Sequence, residues 1–221
     1  MVRSLRRLVG VALAALTLGA CAPREPQPNL GLYKQELRHW HDSGEYAACF
    51  ARSAAPGRAW LERVIAAKKP GEKIAVVFDI DETLLSNWRY LSAGDFVLNY
   101  PGFKAWTRVN NDPPLGPTSE IFERAKAAGI PIFLISGRHE AQRADTVRQL
   151  RTVGLTGWTA LHLRPDANMD KSIVPFKSGV RRQLTAQGYR IVLNMGDQYS
   201  DLEGGFAERK IKLPNPFYFI R

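Results

Sequence analysis

Residues 74–85 read IAVVFDIDETLL, and the fold follows from this stretch. Ile74 to Phe78 is an unbroken apolar run rich in β-branched residues, the pattern of a strand buried on both faces. It stops abruptly at Asp79. In an extended chain Asp79 and Asp81 point the same way, while Ile80 between them points into the core. Two carboxylates so placed repel each other unless a cation or a shared proton relieves them.

Working outward, similar apolar runs occur at 130–135 (IPIFLI) and 189–195 (YRIVLNM), with a further strand expected at 158–163. Helical stretches are expected at 119–128, 140–153 and roughly 178–187. Strands alternating with helices of this length predict an α/β fold whose parallel sheet is covered on both faces. Ahead of it, 30–69 has helical apolar spacing and predicts two or three helices, punctuated at Pro56-Gly57 and Pro70-Gly71. Three runs end in polar residues: DIDET, SGR and GDQYSD. In an open parallel sheet, ligands bind beyond the carboxyl ends of the strands, so these groups are expected to share one crevice.

The chemistry of those residues suits phosphate. Asp79 and Asp81, with Asp197 and Asp201 supplying further carboxylates, offer hard oxygen ligands that suit magnesium, an ion that keeps room for waters and a phosphate oxygen. Ser136 and the amides around Gly137 are expected to bind phosphate oxygens at a helix start. Lys177 supplies a compact positive charge. A carboxylate nucleophile splits one hydrolysis into two steps through an acyl phosphate. Asp81 is placed to protonate the leaving group and then to activate water.

At these positions the sequence resembles the haloacid dehalogenase-like (HAD-like) superfamily. FDIDETLL (78–85) looks like its first motif, ISGR (135–138) its second, Lys177 its third, with Lys171 a rival, and GDQYSD (196–201) its fourth. More narrowly, DIDETLLSN, DKSIVPFKS, GYRIVLNMGDQYSDL and the terminal KLPNPFYFI resemble the acid phosphatase subfamily of bacterial lipoprotein phosphatases, plant acid phosphatases and vegetative storage proteins.

The resemblance implies a Rossmann-like doubly wound sheet with a small, mainly helical cap at about 86–113 and N-terminal helices. It implies Asp79 as nucleophile and magnesium ligand, and Asp81 as acid/base that also meets the ion through its backbone carbonyl. Ser136, Gly137 and Lys177 would hold phosphate. Asp197 would complete the metal site, and Asp201 would orient Lys177 from behind it. Dehalogenases lack the acid two residues after the nucleophile, and storage proteins can lose the nucleophile; here Asp81 and Asp79 are both present.

The expected cap is rich in aromatics. Most are expected to form its core, with Trp88 and Tyr90 the candidates for contact with the substrate's leaving group, which the resemblance suggests is a nucleoside. His39 and His41 fall on different helix faces, so they form no metal pair. His139 follows the second motif and is a candidate for the crevice, whereas Arg138 is expected to be structural.

The bulk properties agree. Hydrophobic content is 45%, enough for a real core, which excludes disorder for most of the chain. The formal charge of +10 favours anionic molecules. No run of five or six like charges and no nucleic-acid motif is present, so a small phosphomonoester is the expected partner and nucleic acid is not.

Residues 1–20 combine a basic start, an apolar run too short to span a membrane comfortably, and small residues, as a secretory signal does. LGAC (18–21) resembles a lipobox, which implies export, lipidation at Cys21, anchoring to the bacterial cell envelope at the outer membrane, and a proline-rich tether over 21–30. Cys49 then has no partner and is expected to be a structural thiol. The predicted unit is a phosphatase domain over 31–221. The alternatives are an anchored binding protein without turnover, and phosphotransfer to an alcohol.

Overall fold

The chain is described from a computed structural model covering residues 29–168 and 172–220. The expected signal segment, the lipidation site Cys21, most of the tether and Lys171 lie outside the described residues. Ile74–Phe78 forms strand β1, with all five residues buried. Ile74, Val76 and Phe78 pack with Leu61 and Val64 of α2 (Glu45–Ala67) and Phe122 of α5 (Gly116–Ala127). Ala75 and Val77 pack with Val180 and Leu184 of α7 (Val174–Ala186). The two faces therefore bury alternate residues of one strand, which is why its sequence shows no polar alternation.

Strands β2 (Ile132–His139), β3 (Ala160–Arg164), β4 (Arg190–Gly196) and β5 (Arg209–Lys212) join β1 in a parallel sheet of order β3-β2-β1-β4-β5. The chain lays strands outward on one side of β1, then returns to start β4 on its other side. That reversal opens a crevice at the carboxyl ends of β1, β2 and β4. Strand β5 has no counterpart in the sequence reading. Its residues, RKIK, leave only Ile211 buried at the sheet edge, so no apolar run marks it.

Two helices, α1 (Leu30–Asp42) and α2, cover 30–67. Asn29 caps α1 through its side chain, so the helix already begins at Leu30, the last residue assigned to the tether. Pro56-Gly57 does not punctuate the region as expected: α2 runs through both. Pro56 faces solvent, and tertiary contacts outweigh its missing N–H. Gly57 is buried, and a Cβ there would lie 3.1 Å from Ile211 Cγ1 and 3.3 Å from Met195 Cε. The glycine lets α2 lie close on β4 and β5, and Trp60 Nε1 donates to Val192 O at 2.8 Å beside it. Gly57→Val should therefore destabilise the fold by about 1–3 kcal/mol through overpacking, read as a lower urea midpoint.

Between β1 and α5 the chain forms α3 (Trp88–Ala93) and α4 (Tyr100–Val109). Asp95, beyond α3, pairs with Lys34 and Arg38 of α1. A single 3-10 turn precedes α6 (Arg143–Thr152), and one short helix, α8 (Tyr199–Leu202), follows β4. Cys49 is half-buried on α2 and unpaired among the described residues.

Candidate active site

Each side chain of the crevice is delivered by the end of a strand or by α7. Asp79 follows β1, and its N–H donates to Met195 O on β4 at 3.0 Å. The chain then folds into a tight loop in which Glu82 takes φ 52°, and its N–H donates to Leu85 O at 2.8 Å. The Glu82 carboxylate is fully buried and accepts from Asn87 N, Asn87 Nδ2 and Tyr218 Oη. Burial pushes it up to about 8 despite those donors. The loop is thus pinned from inside by its own glutamate.

From α7, Lys177 reaches between two carboxylates. Its Nζ donates to Asp79 Oδ1 at 2.7 Å and to Asp201 Oδ1. Burial acts to lower the Lys177 pKa, and the two carboxylates more than offset it, so the amine stays charged. Asp201 Oδ2 accepts from Gln198 N at 2.8 Å. Both Asp201 oxygens are therefore engaged, which suits a partner that orients Lys177. Gly196 is required here, because a Cβ at that position would collide with Asp201. Fully buried Arg181 fixes the following loop by donating to the carbonyls of Asp201, Glu203 and Gly205.

Arg138 turns out to belong to the site. Its Nε and Nη2 donate to Asp81 Oδ2 and Oδ1 at 2.9 and 2.7 Å, while Nη1 donates to Gln149 Oε1 at 2.6 Å. Burial alone would raise Asp81; the paired guanidinium and Asn87 bring its carboxyl below the usual range. Burial also pushes Asp79 well above that range. Lys177 pulls it back only in part, against Asp201, Asp197 and Asp81. Asp197 is pushed up to about 7 by burial and by Asp201.

These directions test the site for a metal ion. Oxygens of Asp79, Asp197 and Asp201 lie within 4.8 Å of one another, all three residues buried. Four carboxylates, Asp79, Asp81, Asp197 and Asp201, face two cations, Lys177 and Arg138. The uncompensated negative charge and the all-oxygen donor set fit a hard divalent ion.

A cavity of about 340 Å³ opens onto this cluster. Asp79, Asp81, Gly137, Lys177 and Asp197 line it, with Leu91, Leu98, Tyr100, Phe103 and His139 forming much of the wall. Three expectations are corrected. Trp88 does not line it: its ring stacks on His41 with centroids 3.7 Å apart and packs against Phe96 and Phe217. Tyr90 does not line it either, being held by Phe103, Trp106 and a hydrogen bond to Asn99 O. Ser136 and Gly137 do not sit at a helix start, because β2 continues through them to His139. Ser136 is fully buried and absent from the cavity lining; its Oγ accepts from Arg138 N at 3.1 Å. His139 does reach the crevice, its ring 4.9 Å from that of Tyr100. Asn87, Gln198, Asn215 and Tyr218, which bind the acidic residues, carried no expected role.

The sequence profile of the HAD superfamily, subfamily IIIB (Acid phosphatase), matches residues 45–221. The chain belongs to that subfamily. Among curated relatives of this subfamily IIIB chain, Acid phosphatase 1 of Solanum lycopersicum is 38% identical over 148 residues, 65% of this chain and 58% of that protein. Vegetative storage protein 1 of Arabidopsis thaliana is 36% identical over 148 residues, 65% and 54%. The chain thus spans somewhat more than half the length of these relatives. A class C acid phosphatase from Bacillus anthracis has a similar fold, with TM-score 0.69 at 24% identity over 86% of each chain.

Proposed function

We propose that this protein hydrolyses phosphate monoesters through an aspartyl-phosphate on Asp79, with magnesium bound at the carboxylate cluster. The observation that carries this reading is the Lys177 bridge between Asp79 and Asp201 at the base of the cavity, beside Asp81. It presents a carboxylate nucleophile, a fixed cation and a second carboxylate at the carboxyl ends of the strands. Phosphoryl transfer asks mainly for such positioning and charge neutralisation.

Asp79, Asp197 and the Asp81 backbone carbonyl would hold the magnesium ion, which would supply neutralising charge to the phosphoryl oxygens. Lys177 Nζ and the Gly137 N–H would hold phosphate. Ser136 Oγ accepts from a backbone amide and keeps its own proton to donate. An Asp79 oxygen attacks phosphorus, the ester oxygen leaves with a proton from Asp81, and water then attacks the aspartyl-phosphate, giving its proton to Asp81. Arg138 keeps the Asp81 pKa low, so the proton that Asp81 takes from water in one cycle is readily given to the leaving oxygen in the next. Arg138→Ala is therefore expected to lower kcat about 100-fold with little change in KM, measured by steady-state hydrolysis.

The walls of Tyr100, Phe103 and His139 suit a flat leaving group, and nucleoside monophosphates are the proposed preferred class. Residues 1–21 are proposed to export the chain and anchor it by lipid at Cys21, on their sequence pattern. No helix among the described residues is long and apolar enough to cross a membrane. The reading is tested by assaying the protein on a panel of phosphomonoesters with magnesium and with a chelator. Phosphate release that requires the metal is expected, with nucleotides ranking high. No release from any ester by folded, magnesium-supplied protein would refute the reading in favour of an anchored binding protein.

A further inference from the structure

The terminal residues LPNPFYFI (213–220) have no part in the chemistry above, yet they are built into the acidic cluster. Leu213 N donates to Gly196 O at 2.9 Å, which brings the chain beside Asp197. Asn215 Nδ2 then donates to Asp197 Oδ2 at 2.7 Å. Gln198 Nε2 donates to the same oxygen at 2.7 Å, and Gln198 Oε1 accepts from Ile220 N at 3.0 Å. Asp197 Oδ1 keeps one longer bond, from Thr83 Oγ1 at 3.2 Å. The carboxylate is therefore gripped by two short bonds at Oδ2 and by a single longer one at Oδ1, the oxygen with more room for a cation.

The donors on Oδ2 are neutral carboxamides. They fix the rotation of the carboxylate without cancelling the charge a cation needs, as a lysine or arginine there would. Asn215 is itself held in place. Its Oδ1 accepts from Phe217 N at 2.9 Å, closing a local turn, and the Phe217 ring packs on Tyr46, Trp88 and Phe96. Asn215 is only half-buried and lies beside a second cavity, so a smaller side chain is accommodated there.

We propose that Asn215 is a positioning residue for cation binding, acting through Asp197 by holding Oδ2 so that Oδ1 faces the cation. The proposal rests on reading Asp197 as a magnesium ligand. Its test is calorimetric titration of magnesium chloride into the full-length protein in detergent, without substrate, for wild type, Asn215→Ser, Asn215→Ala and Asp197→Asn. Serine keeps an acceptor for the local turn but is too short to reach Asp197 as asparagine does. Both Asn215 variants are expected to bind magnesium about 10- to 100-fold more weakly, with the metal-free melting midpoint of Asn215→Ser near that of wild type.

Wild-type affinity in Asn215→Ser, with binding lost in Asp197→Asn, would overturn the role of Asn215 and leave Asp197 as ligand. Weaker binding that tracks a fallen melting midpoint would overturn it too, assigning Asn215 to folding. No magnesium binding by the wild type would remove the reading of Asp197 and the proposal with it.

Discussion

Asp79→Asn is expected to reduce phosphate release about 10⁴- to 10⁶-fold, the scale seen when an enzyme loses its nucleophile. The carboxamide cannot form an acyl phosphate, and none of the neighbouring carboxylates is free to replace it: Asp81 is clamped by Arg138, Asp201 is paired with Lys177, and Asp197 is held by two carboxamides. The same substitution should leave the metal-free fold at least as stable at neutral pH. Burial and three neighbouring carboxylates raise the Asp79 pKa above its unfolded value. Such a group binds its proton more tightly when folded, so its contribution to stability falls as pH rises and is unfavourable at neutral pH. Asparagine removes that contribution. Steady-state assays and thermal melts on one preparation check both halves. Activity lost together with the fold would contradict the account.

Lys177→Met should have the largest effect on stability. The lysine is 5% exposed between partners that are 7% and 3% exposed, so removing it leaves two carboxylates buried without their cation. Breaking a buried pair in this way costs about 3–5 kcal/mol. For a domain of this size that corresponds to a melting point lower by roughly 6–20 °C. Methionine keeps most of the volume, so the loss is electrostatic and not a cavity. Two controls follow. Adding Asp79→Asn to Lys177→Met should recover part of the loss, because one of the stranded charges is gone. Magnesium should also stabilise Lys177→Met more than wild type. If neither restores stability, the deficit is one of packing.

The sheet was legible because its central strands are buried on both faces and leave apolar runs at 74–78, 130–135 and, around Ile191–Leu193, within 189–195. The site was legible because each run ends in polar residues that a parallel sheet gathers at one edge. β5 was not, since an edge strand of sequence RKIK buries a single side chain. Pro56-Gly57 misled because local propensity says nothing about the tertiary contact that needs a glycine against Ile211 and Met195.

The aromatics of 86–113 show the same limit. Composition marks an aromatic cluster but not which rings face inward: Trp88 and Tyr90, partly buried, pack against the outside of the core, and Tyr100 and Phe103 form the cavity wall. Arg138 and Asn215 escaped for a different reason. Each acts by gripping a carboxylate far away in sequence, across 57 and 18 residues, and no local spacing announces such a pair.

A covalent phosphoryl group on Asp79 separates this mechanism from direct attack by water on the ester. The most direct measurement is rapid acid quench of the magnesium-loaded protein during turnover of a phosphomonoester, followed by peptide mass spectrometry. One phosphoryl group is expected on the peptide carrying 74–85, localised to Asp79 and absent from Asp79→Asn. A phosphoryl group on another residue, or none in an enzyme shown to be turning over, would contradict it.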